Sequence, residues 1–351
     1  MTRTGHRALP LLLPCCAALA CAALGPASLP PTAQPGEAFV VRPFTPELGG
    51  RWIGNGIAYG PHRDGQRPGG PSPTRAQLRE DLLLLIRSWN LIRTYDASPT
   101  AEALLDLIRS EGLPLKVMLG CSLEPEQKAA AAGAPVPLPE ARAANRAQVE
   151  ASIRLANAYP EVVLAVIAGN ETQVSWSDHR VAPEVLIGWI RELRARTRAP
   201  VTTADDFGFW VAEESLKVAR EVDFIDVHAY AMWAGQQREQ ALSFTQEKLA
   251  AVARRHPGRT LLLGELGWAT RRHSEGEQAK LIKGAPGEEQ QAAFYREALA
   301  WTTRERIANL WFEAFDENWK GGAHPDEVEK HWGLFRADRT PKRAMQDGGN
   351  H

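Results

Sequence analysis

Apolar residues in this chain gather into short runs that alternate with longer stretches of mixed character. Eight runs read as strands: Trp52–Tyr59, Leu91–Tyr95, Leu115–Gly120, Val162–Ala168, Pro200–Ala204, Phe224–Tyr230, Thr260–Glu265 and Ala308–Phe315. Between them, Arg75–Ser88, Ala101–Glu111, Asn145–Tyr159, Pro183–Thr197, Glu213–Val222, Ala241–His256 and Gly287–Arg304 carry helical spacing. In the first helix Leu78, Leu82 and Leu85 form a stripe suited to packing on a sheet. Val162–Ala168 is apolar throughout, as a strand buried on both faces requires. The alternation predicts a single-domain α/β fold, a closed (β/α)8 TIM barrel over residues 51–345. A doubly wound open sheet is the alternative, but Trp52–Gly60 lacks the Gly-rich spacing and following helix of a dinucleotide fingerprint.

Two long insertions, Gly60–Thr74 and Leu123–Ala144, follow carboxyl ends of strands, the face where barrel active sites form. They are expected to wall a cleft. At the other end of the chain, Arg3, His6 and Arg7 precede an apolar stretch broken by Pro10 and Pro14. Residues 1–24 therefore read as an export signal rather than a membrane span. Cleavage and release after Ala18-Leu19-Ala20 is favoured over lipid anchoring at Cys21, so a periplasmic or extracellular protein is expected. A Pro-rich linker is expected at residues 25–50. Three of the four cysteines fall in the leader, leaving Cys121, which reads as a buried residue at a strand end.

Composition narrows the partners. Lys and Arg total 41 against 42 for Asp and Glu, a net charge of −1, which supplies no field for nucleic acid and no polybasic membrane patch. Hydrophobic residues make up 44% and charged residues 24%, ordinary for a folded domain. Eleven Trp against five Tyr call for a core or a ligand to account for them. The sequence leaves the oligomeric state open.

Candidate chemistry sits at strand ends. Glu171 follows Val-Ile-Ala-Gly-Asn and Glu265 follows Leu-Leu-Leu-Gly. A carboxylate closing an apolar run is costly to bury unless paired or functional. Two that face each other across one barrel mouth suit glycoside cleavage, one protonating the departing oxygen and the other attacking or activating water. Their separation decides between retention and inversion.

These residues also carry a family resemblance. Gly169-Asn170-Glu171, Gly264-Glu265-Leu266-Gly267-Trp268, Leu91–Tyr95, Trp311–Lys320 and His331–Phe335 resemble, in order, the motifs of glycoside hydrolase family 17. Tyr59–Gln66 is similar to its bacterial branch. That family comprises retaining β-1,3-glucanases and related transglycosylases on a (β/α)8 barrel. The resemblance implies a β-glucan substrate, no cofactor and no metal. It makes Glu171 the general acid/base, kept protonated by burial and neighbouring charge, and Glu265 the nucleophile. Asn170 would bond the sugar 2-OH, and Tyr230 with His228 would orient Glu265. Arg93, Tyr95 and Glu313 would line the glycone floor, beside an acidic cluster of Glu313, Asp316 and Glu317 able to partner Arg93 or Lys320. Trp268 and Trp319 are expected as sugar platforms, with Trp176 and Trp233 as further candidates. Taken alone, Arg93 reads equally as a barrel counter-ion and His228 as a satisfied core histidine.

Leu266 and Ala269 stand where the plant members carry Thr or Ser and Pro, which touches subsite detail rather than the reaction. Transglycosylation on the same site is the principal alternative. A non-catalytic sugar-binding barrel would be expected to lose one carboxylate. A metal enzyme built on Glu171, Asp226, His228 and Glu265 lacks the usual ligand spacings.

Overall fold

In the computed structural model, residues 40–128 and 136–346 are described. The expected export signal and most of the expected linker lie outside these residues. Eight parallel strands close into one barrel: β1 (Asn55–Ala58), β2 (Leu91–Arg93), β3 (Lys116–Cys121), β4 (Val163–Asn170), β5 (Val201–Asp206), β6 (Ile225–His228), β7 (Leu261–Leu266) and β8 (Asn309–Trp311). Each pairs with its sequence neighbours, and β8 pairs with β1 to close the ring. The sequence-predicted single-domain (β/α)8 barrel is the observed fold.

Local chemistry sets where the crossovers begin. Helix α1 (Arg75–Leu85) opens on a capping box, in which Thr74 Oγ1 accepts from Gln77 N and Gln77 Oε1 accepts from Thr74 N. Helix α2 (Pro99–Ser110) starts with Ser98 as cap and Pro99 at its first position. Helices α3 (Pro139–Ala158) and α4 (Pro183–Arg196) also begin on Pro, whose fixed φ suits that position. After β5 the expected helix at 213–222 is instead two short ones, α5 (Phe207–Val211) and α6 (Ser215–Ala219). Asp206 ends the strand and caps Gly208 N at 2.7 Å, so the helix starts at once. Helices α7 (Ala241–Arg255), α8 (Gly276–Leu281) and α9 (Glu288–Glu305) complete the larger crossovers.

Two hydrophobic layers follow from strand alternation. Leu91, Met118, Ala165, Ile167, Ala204, Phe224, Leu262 and Leu310 fill the barrel interior, while the opposite faces pack under the helices. The last part of the expected linker belongs to the floor. Phe44 stacks on Phe224 at 4.2 Å between centroids, and Arg42 grips Asp223 through its backbone N and its guanidinium. The barrel is thus plugged at the bottom, which leaves its top for chemistry.

Candidate active site

The strand ends converge on a cleft of about 1140 Å³ at the carboxyl face of the barrel. Pro61, His62, Arg67 and Ser72 of the first insertion line it, as does Leu123, where the second begins. Both insertions therefore contribute to its wall.

Glu265 lies within β7, 4% exposed. Its Oε1 accepts from Arg93 Nη1 at 2.9 Å and Tyr95 Oη at 3.0 Å, and its Oε2 accepts from Tyr230 Oη at 2.5 Å. Burial alone raises the pKa of this carboxyl. The His228 ring, the Arg93 guanidinium and the two phenols oppose that and hold it below the ordinary carboxylate range. Glu171 follows β4 in a left-handed conformation at φ 50°, preceded by Gly169 at φ 73°. It is less buried than the sequence suggests, its side chain 26% exposed against 5% for Glu265. The strand leaves the barrel there, so Glu171 reaches into open cleft.

His228 joins the two carboxylates. Its Nδ1 lies 3.0 Å from Glu171 Oε1 and 3.5 Å from Glu265 Oε2, and its Nε2 lies 3.1 Å from Arg93 Nη1. A guanidinium only donates, so Nε2 accepts and Nδ1 carries the proton toward Glu171, assigning the neutral tautomer. Burial lowers the pKa of the ring, but the Glu265 charge and the contact with Glu171 outweigh it and raise the pKa above the ordinary imidazole value. A second proton requires the Arg93 contact to break. Arg93 also donates to Gly264 O at 3.1 Å and to Asn170 Oδ1, and its guanidinium lies 4.7 Å over the Tyr95 ring. Arg93 and His228 are thus wholly buried, as a counter-ion and a satisfied core histidine are, while touching the carboxylates directly.

A second charged group lines the β8 side. Lys320 Nζ sits 2.6 Å from Glu313 and 2.8 Å from Glu317, and Glu317 Oε1 also accepts from Trp319 Nε1 at 3.0 Å. Burial pushes Glu313 well up, whereas at Glu317 the Lys320 charge and its donors overcome burial and bring it to about 2. Lys320, not Arg93, is therefore the partner of the β8 carboxylates. Asp316 belongs elsewhere, bound to Lys342 at 2.7 Å.

The tryptophans need one correction. Trp319 is 38% exposed in the cleft wall, and Trp176 and Trp233 line the cleft too. Trp268 does not. It is fully buried, edge-on to Phe294, and its Nε1 donates to Ala285 O at 3.0 Å. It follows the end of β7 by two residues on the outward side, so the expected sugar platform is a core residue. Sequence reasoning also missed Asp206, Phe207, Glu329 and Trp332, all in the cleft lining. Burial leads the rise of Asp206 to about 6 and of Glu329 to about 7. A carboxylate at the end of β5 carried the same signal as Glu171, but the expected strand stopped at Ala204.

Glu171, His228 and Glu265 bring ligand atoms within 4.8 Å of one another. The residue types suit a metal ion. The Arg93 guanidinium, hydrogen-bonded to both Glu265 and His228, already places a cation on that set and repels a divalent ion there.

Residues 56–333 match the BtgE/BtgC glycoside hydrolase domain. A glucan 1,3-β-glucosidase of Arthroderma benhamiae is 26% identical over 289 residues, spanning 79% of this chain and 86% of that one. Among solved structures, an endo-laminarinase from Formosa Hel1_33_131 has a TM-score of 0.72 at 23% identity, covering 85% of this chain and 91% of that chain. An active-site mutant of Rhizomucor miehei β-1,3-glucanosyltransferase in complex with laminaritriose has a TM-score of 0.65 at 22% identity, covering 83% and 96%. At these identities the structural likeness bears on the fold.

Proposed function

Because this chain belongs to the BtgE/BtgC glycoside hydrolase domain family and is a glycosidase, we propose that it cleaves β-1,3-glucosidic bonds with retention of configuration, using Glu265 as nucleophile and Glu171 as acid/base. The observation that carries this reading is the approach of the two carboxylates. An oxygen of Glu171 and one of Glu265 lie within 4.8 Å of each other, and both carboxylates approach the same His228 Nδ1. So close an approach favours the roughly 5 Å carboxyl spacing of retaining enzymes over the 6.5–9.5 Å that seats a water between inverting carboxylates. The name of the Arthroderma relative, glucan 1,3-β-glucosidase, supports the linkage.

The roles divide by environment. Glu265, ionised and fixed by three donors, attacks the anomeric carbon as the C1–O bond breaks. Glu171 delivers its proton to the leaving oxygen, while His228 Nδ1–H holds the carboxyl's other oxygen. Water then cleaves the ester with Glu171 as base. Arg93 holds Asn170 Oδ1, turning the amide N–H₂ toward the sugar 2-OH. Tyr95, Tyr230, Glu317, Lys320 and Trp319 line the sugar site, while Glu313, expected on its floor, is wholly buried behind Lys320.

A glucan hydroxyl replacing water gives transglycosylation on the same intermediate. The exposed Trp176, in the cleft lining, offers such an acceptor a stacking face. An exported protein, released after residues 1–24, fits a polymer substrate too large to enter a cell.

The test is a timed product profile on linear β-1,3-glucan with a Glu265→Gln control. Shorter oligosaccharides from the intact chain alone are expected; products longer than a defined oligosaccharide substrate would assign transfer. Glu171→Ala should be rescued by azide on substrates with good leaving groups, and a folded variant without rescue contradicts its role.

A further inference from the structure

Beneath the cleft, the inward face of β6 carries a carboxylate that the proposed reaction does not use. Asp226 precedes His228 by two residues, so both point into the barrel, and both are 0% exposed. Neither Asp226 oxygen has a hydrogen-bond partner, and neither has the Nε of the buried Arg93. A carboxylate in that position is costly. The neighbouring strand makes room for it: a Cβ on Gly264 would fall 1.5 Å from Asp226 Oδ1. This glycine immediately precedes Glu265, and its carbonyl takes a hydrogen bond from Arg93. On the other side β5 presents only Ala204. The charged or titratable groups facing Asp226 are Arg93 from β2, His228 from its own strand and Glu265 from β7.

We propose that Asp226 is a positioning residue, the buried counter-charge that holds the Arg93 guanidinium in place while Glu265 is esterified. The argument rests on the retaining reading above. In the resting site Arg93 is neutralised directly by Glu265 at 2.9 Å. When a Glu265 oxygen bonds to the anomeric carbon, the glycosidic C1–O bond breaks and the leaving oxygen takes the Glu171 proton. Glu265 is then a neutral ester, and Arg93 remains a fully buried cation without its partner. A lone buried cation is strongly disfavoured. Asp226 supplies a fixed anion below it, while the newly ionised Glu171 is reached only through His228. Loss of the Glu265 charge also removes the one anion that opposes ionisation of Asp226. The counter-charge therefore strengthens as the intermediate forms, which is transition-state rather than ground-state stabilisation.

The test compares Asp226→Asn with the intact protein on an oligomeric β-1,3-glucoside, measuring kcat, KM and thermal midpoint from pH 5 to 8. Asn keeps the shape and removes the charge. We expect a folded variant with a midpoint at or above that of the intact chain, a kcat lowered roughly tenfold to a hundredfold, and a KM changed by no more than about twofold. The activity gap should widen from pH 5 to 7, because burial, against the pull of Arg93 and His228, places the Asp226 pKa at about 6. Other groups that titrate in this range are present in both proteins and cancel in the ratio. A variant with an unchanged rate, or a loss independent of pH, assigns Asp226 to packing and overturns the proposal. If Asn prevents folding, Asp226→Ala decides by the same readouts, and failure of both to fold assigns a structural role. An intact chain that turns over no β-glucan overturns the retaining reading and this inference with it. An active chain matched by its Asn variant overturns this inference alone.

Discussion

Asp223 and Asp226 lie three residues apart, both buried, and meet opposite environments. Asp223, at the floor, accepts from Arg42 N and Nε, Arg194 Nη2 and Val201 N, all between 2.7 and 2.9 Å. Burial raises its pKa, and these donors and charges reverse that and bring it below the ordinary value. Asp226, higher in the barrel, has no donor and is pushed up to about 6 by burial. At the floor Asp223 is completed by protein donors, including one from a residue 181 positions away. The mouth leaves charges incompletely matched, for a substrate and a changing charge to complete. One barrel thus separates the end that secures the fold from the end that stores electrostatic imbalance.

The largest effect expected at the mouth is that of Glu265→Gln. An amide cannot form the ester, so kcat on β-1,3-glucan should fall on the order of 10⁴-fold or more. The fold should survive, because the amide keeps the shape. Its oxygen can take the place of Oε1 and accept from Arg93 and Tyr95, its N–H₂ can donate to the Tyr230 oxygen, and Asp226 remains as counter-charge to Arg93. A midpoint that collapses with activity would erase the distinction between the two ends.

At the floor the balance reverses. Asp223→Ala removes the carboxylate shared by Arg42 and Arg194 and the acceptor of the buried Val201 N, and should cost about 3–5 kcal/mol of stability. Chemical denaturation checks this, and kcat per folded molecule should stay within about twofold. The pH signatures also oppose each other. The folded-state pKa of Asp223 is lowered, so its stabilisation is present above the ordinary carboxylate range and is lost as pH falls through the folded value. The folded-state pKa of Asp226 is raised to about 6, so the native state binds the extra proton and stability falls as pH rises from about 4 to about 6. Asp226→Asn should therefore gain on the intact protein across that window, approaching about 3 kcal/mol above it. Midpoints measured from pH 4 to 8 decide this, and a constant gap would deny the buried charge.

How much of this was legible follows from what each feature depends on. The eight strands and most crossovers follow from local periodicity, and Glu171 and Glu265 from carboxylates closing apolar runs. The partners of Asp223 were not legible, since Arg42 sits in a Pro-rich stretch whose packing depends on the closed barrel. Nor was the solitude of Asp226, which is a property of Gly264 and Ala204 on neighbouring strands. The pairing of Lys320 with Glu313 and Glu317 was open among several carboxylates until the turn after β8 brought them together.

Trp268 and Trp319 give the smallest and most discriminating test, because sequence position alone made them equivalent. Both follow a strand end and both are large flat surfaces. The backbone turns one into the core and the other into the cleft, where Trp319 is 38% exposed and edge-on to His62. Trp319→Ala should raise KM for β-1,3-gluco-oligosaccharides about fivefold to tenfold, near 1 kcal/mol of stacking, with little change in midpoint. Trp268→Phe should do the reverse: it removes the bond to Ala285 O and costs about 1 kcal/mol of stability while leaving KM unchanged. A rise in KM from Trp268→Phe would return that ring to the sugar site. Equal KM for the Trp319 variant and the intact chain would instead leave sugar binding to the polar groups of Glu317, Lys320 and Tyr95.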